Sequence, residues 1–78
     1  MYKERTLIVH IHELLEKEGW SLTKLALEAD IDKSRLSRLA NGKREYLYID
    51  YIIKIAETLD IDDINKIVSL ERVNNKYL

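Results

Sequence analysis

Residues 19–44 read GWSLTKLALEADIDKSRLSRLANGKR, and this stretch decides the fold. Gly19 closes whatever precedes it, because it takes a positive φ without a Cβ penalty. Ser21 then opens a helix as its N-cap, its hydroxyl placed to accept from a free backbone N–H of the first turn. Trp20 before the cap and Leu25 inside the helix have the spacing of a hydrophobic staple. Leu22, Leu25, Ala26 and Ala29 form the buried face. Asp32 opens the next helix in the same way, with Ile31 and Leu36 as its staple and Leu36, Leu39 and Ala40 facing inward. Asn41-Gly42 ends it. Only Ala29 to Asp32 separates the two helices, so they meet at a steep angle, as a helix-turn-helix does.

Working outward, periodicity predicts three more helices. Leu7, Ile8, Ile11, Leu14 and Leu15 form an i, i+1, i+4, i+7, i+8 stripe, which predicts a first helix from about Lys3 to Glu18. A fourth runs from about Asp50 to Leu59, with Ile52, Ile53, Ile55, Ala56 and Leu59 apolar. A fifth starts near Asp62 and carries Ile64, Ile67, Val68 and Leu70, its acids at the dipole-favoured N-terminal end. Its apolar positions either finish the core or form a dimer interface. The expectation is an all-α, five-helix domain over 1–78, with its core at about 3–70 and a weakly ordered tail at 71–78.

Composition agrees with short helices joined by tight turns. The chain has 78 residues, no proline, no cysteine and two glycines. A domain this small buries only about 60% of its unfolded surface, which favours tight packing or pairing with a second copy. Without cysteine there is no disulfide frame and no thiolate metal site. No apolar run reaches the roughly 18 residues of a membrane span, and Met1 to Thr6 do not look like a secretory signal. A cytoplasmic protein is expected, with no membrane contact.

The net charge of −1 hides an uneven distribution. Between Lys33 and Arg44 the chain carries five cations and no acid, leaving −6 for the rest. A basic segment of this kind presents a local cationic face to phosphates. No catalytic constellation or glycine-rich phosphate loop is present, so the expectation is no enzyme and no cofactor. His10 and His12 stand two apart on a helix and point different ways, which argues against a metal site. Trp20 reads as a core residue. Tyr46, Tyr48 and Tyr51 read as packing or dimer contacts rather than a base-stacking platform.

The segments 20–26 (WSLTKLA), 31–39 (IDKSRLSRL), 41–44 (NGKR) and 55–59 (IAETL), in this order and spacing, resemble the lambda-repressor/Cro (XRE) family of helix-turn-helix DNA-binding domains. With the first and fifth helices included, the resemblance covers nearly the whole chain. It implies a lambda-repressor-like fold and a transcriptional regulator of double-stranded DNA. The reading is a repressor that binds a palindromic operator as a homodimer. By the family's docking mode, Lys33, Ser34 and Arg38 read bases, Ser37 joins them or touches the backbone, and Arg35 lies at the flank. Asn41, Lys43 and Arg44 grip phosphates, with Arg44 near a base. Thr23 and Lys24 meet phosphate at the start of the second helix. Three positions depart from the family pattern: Leu22 stands where Gln is frequent, Asp30 where the turn often has Gly, and Glu45-Tyr46-Leu47-Tyr48 where a proline often follows. The alternative is an antitoxin- or adaptor-like module that binds a protein partner through its C-terminal half.

Overall fold

A computed structural model describes residues 5–42 and 49–72. Strand β1 spans Arg5–Val9, followed by helices α1 (Ile11–Glu18), α2 (Leu22–Ala29), α3 (Lys33–Ala40) and α4 (Ile49–Leu59). A single 3-10 turn at Ile64–Lys66 leads into strand β2, Val68–Arg72. The strands pair antiparallel, with Leu7 opposite Leu70 and Val9 opposite Val68.

Two expectations are therefore corrected. The first helix begins at Ile11 rather than near Lys3, and the fifth is replaced by the 3-10 turn and a strand. The described residues hold four α-helices and a two-stranded sheet rather than five helices. The reason is non-local. Thr6, Ile8, Val9 and Val68 are β-branched, and branched side chains favour the pleated surface. Val9 and Val68 find each other only through the fold. Asp63, expected in a helical first turn, instead accepts from the backbone N–H of Asn65 and caps the short turn.

His10 joins the two parts. Its backbone N–H donates to the carbonyl of Ile67 at 2.7 Å. Its ring bonds Glu13 through Nδ1 at 2.7 Å and the Ser69 hydroxyl through Nε2 at 2.8 Å. Sheet and α1 are thus fastened at one residue.

Three helices end alike. Gly19, Asp30 and Asp60 all take positive φ, at 70°, 55° and 55°. After each, an apolar residue donates back into the helix: Trp20 to Leu15, Ile31 to Ala26 and Ile61 to Ala56, at 3.0, 2.9 and 2.8 Å. These are Schellman ends, which satisfy otherwise orphaned carbonyls and turn an apolar side chain back onto the helix.

Each helix, together with the residue after the 3-10 turn, places one side chain fully inside: Ile11, Leu25, Leu36, Ile55 and Ile67. Burying each is worth about 1.5–3 kcal/mol. The region expected as a fifth helix divides, with Ile67 in the core while Ile64 and Leu70 stay exposed.

Candidate nucleic-acid interface

The site is built on the α2–α3 pair. At the start of α2, the Ser21 hydroxyl accepts from the backbone N–H of Lys24 at 3.0 Å. Thr23 and Lys24 are exposed there. The Lys24 ammonium lies 4.5 Å from the centre of the Trp20 ring, a cation–π contact that holds it over the first turn. Trp20 itself packs against the core. Leu22 also packs there, so the position where the family often carries Gln has turned toward the interior.

The turn between the helices is tight because Asp30 accepts the left-handed conformation. Asp does so more readily than most residues, since its short polar side chain bonds locally. The Lys54 ammonium donates to the Asp30 carbonyl at 3.1 Å and ties α4 to the turn. Ala26 is buried and small, and permits close approach of α3.

Helix α3 begins where Asp32 accepts from the Arg35 N–H at 3.2 Å and from the Ser34 hydroxyl at 2.5 Å. These two donors, the hydroxyl above all, hold the Asp32 carboxyl below the ordinary carboxylate range. Leu36 and Leu39 are buried and lock the helix in place. On the outer side Lys33, Ser34 and Arg38 are exposed and Ser37 is half-buried. At about 100° per residue, Lys33, Ser37, Asn41, Ser34 and Arg38 fall within an arc of about 140°. Arg35 lies beyond that arc and donates to the Tyr51 hydroxyl of α4 at 3.3 Å.

The family profile described as "Helix-turn-helix domain" matches residues 10–73. The chain belongs to this family. It is a helix-turn-helix domain of the XRE/Cro kind. Among curated proteins and among solved structures, no match was found. Membership suggests a DNA-binding regulator, and such domains are typically non-enzymatic. Among the described residues no helix is long and apolar enough to cross a membrane. No cluster of three or more His, Cys, Asp or Glu is placed to hold a metal there either.

The helix-turn-helix brings most of the sequence-predicted residues to one side: Lys33, Ser34, Ser37, Arg38 and Asn41 share the arc, and Thr23 and Lys24 stand at the start of α2. Arg35 turns toward α4. Lys43 and Arg44 lie outside the described residues, as do Tyr46 and Tyr48. Tyr51 packs against the core. His10 stands before α1 and His12 within it, so the two do not share a helix as expected, and they take different partners. His12 was not among the predicted site residues, yet its Nε2 bonds the Asn41 side-chain oxygen at 3.1 Å, from a position 29 residues away. No linear signal joins these two positions.

Proposed function

We propose that this helix-turn-helix domain is a sequence-specific transcriptional repressor that reads a palindromic operator in double-stranded DNA, acting in the cytoplasm as a homodimer. The whole span 1–78 serves as one DNA-binding domain. The observation that carries this reading is the outward arc of α3, cationic and exposed, on a helix fixed by Leu36, Leu39 and the Asp32 cap. A major groove about 12 Å wide admits one helix, and side chains near its N-terminus reach base edges.

Lys33 and Arg38 suit the acceptor pair of guanine. Ser34 donates its hydroxyl proton to Asp32, so its oxygen remains an acceptor. It therefore suits the amino group of adenine or cytosine. Ser37 assists from the middle of the arc. Thr23, Lys24, Asn41, Lys43 and Arg44 contact phosphates, and Arg35 supports α3 from its flank. Two copies double the contacts, and a two-fold dimer mirrors a palindrome with half-site centres about 34 Å apart.

Selection of bound duplexes from a random pool is the test. The expected product is an inverted repeat with that spacing, bound with an affinity that falls steeply with salt as counterions are released. Recovery of no preferred sequence from the pool would remove the reading.

One observation favours a second reading, a module that binds a protein partner. Of the five large apolar side chains exposed among the described residues, Ile49, Ile53, Ile64 and Leu70 lie in the C-terminal half, and Leu27 lies in α2. Scattered apolar side chains are common on monomers, so the cationic arc outweighs them. The two readings separate by salt: an apolar contact is nearly insensitive, and a phosphate contact is not.

A further inference from the structure

We propose that His12 is a positioning residue for DNA-backbone binding, fixing the Asn41 side-chain amide so that it offers a phosphate a donor and not an acceptor. The inference rests on the reading of α3 as the DNA-contacting helix. His12 stands in the first turn of α1 and is exposed. Its Nε2 donates to Asn41 Oδ1 at 3.1 Å, across to the C-terminal end of α3. Both the Nε2–H tautomer and the imidazolium make this bond.

An asparagine amide has two unlike edges, a carbonyl that accepts and an NH2 group with two donors. Phosphate oxygens only accept. An Asn41 free to flip meets a phosphate with the wrong edge part of the time. His12 removes that freedom, because its N–H engages the carbonyl and leaves the NH2 group turned away from α1. One N–H of that group reaches the Ser37 hydroxyl at 3.4 Å, a long and weak contact. The second N–H is the donor that the proposal assigns to a backbone phosphate. Asn41 closes α3 through its backbone N–H, bonded to the carbonyl of Ser37, and the Gly42 N–H takes the carbonyl of Leu39, so the cap does not use the Asn41 side chain. The His12–Asn41 bond is exposed on both sides and therefore adds little to stability. Its effect falls on orientation.

The test uses the full chain, a duplex from the random-pool selection, and the variants His12→Ala, His12→Gln, Asn41→Ala and the His12→Ala/Asn41→Ala double. Each single alanine variant is expected to weaken binding by about 3- to 10-fold, the range of one hydrogen bond. The double variant should lose no more than Asn41→Ala alone, because both remove one contact. His12→Gln, whose amide N–H takes the place of Nε2, should bind as wild type. In the unbound protein, the Asn41 side-chain NH2 resonances should move in His12→Ala and stay in His12→Gln, with melting temperatures unchanged. Unaltered binding by His12→Ala, or single losses that multiply in the double variant, overturns the inference and leaves the DNA-binding reading standing. A wild-type chain that binds no duplex overturns both.

Discussion

Arg35 and Arg38 lie three positions apart on α3 and have different surroundings. Arg35 reaches back to the Tyr51 hydroxyl of α4, whereas Arg38 is exposed within the outward arc. Their substitutions should therefore differ in kind. Arg38→Ala is expected to weaken specific binding by about 1–3 kcal/mol and to relax preference at one base position. Competition across a panel of single-base operator variants measures this. Equal losses on operator and random DNA would contradict base reading by Arg38. Arg35→Ala, which removes an exposed bond to Tyr51, is expected to leave both the melting temperature and the base preference of the bound complex nearly unchanged.

At the scale of the element, the domain depends on how its helices start and stop. The left-handed region costs an ordinary L-residue about 1–2 kcal/mol, and Asp less. Asp30→Gly is expected to raise the melting temperature, and Asp30→Val to cost about 1–2 kcal/mol, measured by urea denaturation. The reverse order would show that the Asp30 side chain, and not its φ, matters. The starts of α1 and α3 carry the carboxylates Glu13 and Asp32. Asp32 is held below the ordinary carboxylate range by Ser34 and by the Arg35 N–H, and Glu13 by the His10 ring and then its own backbone N–H. In both cases the unfolded chain binds protons more readily than the folded one in acid. Their contribution is complete above the unfolded values, about pH 4, and is lost as pH falls through the lower folded values. Melting temperature should accordingly drop most steeply below about pH 4. Asp32→Asn keeps a good cap that does not titrate, and should flatten part of that drop.

Across the whole molecule, five fully buried side chains from separate elements meet in one small core. There is little redundancy, because a chain of this size has a thin margin. Leu36→Ala is expected to cost about 2–5 kcal/mol and to abolish operator binding through unfolding, seen as loss of cooperative melting. The β1–β2 pair closes the same core from the ends of the described chain, with Val9 buried and Val68 packed against it.

The helix-turn-helix was legible in the sequence because its signals are local. Ser21, Asp30 and Asp32 act within one turn of where they stand, and the leucine spacing of α3 dictates which side turns outward. The third helix stop, Asp60 followed by Ile61, repeats the Asp30-Ile31 pattern and was readable in the same way. The sheet was not. Leu7, Ile8 and Ile11 fit a helical stripe as well as they fit a strand running into a helix, and the choice depends on a partner about 60 residues away. Backbone pairing between distant segments leaves no period in either one. The same holds for His12 and Asn41, which only the packing of α1 against α3 brings within reach. Local chemistry thus set the helices and the exposed arc, and tertiary contact alone decided the strands and the side chain that orients the edge of that arc.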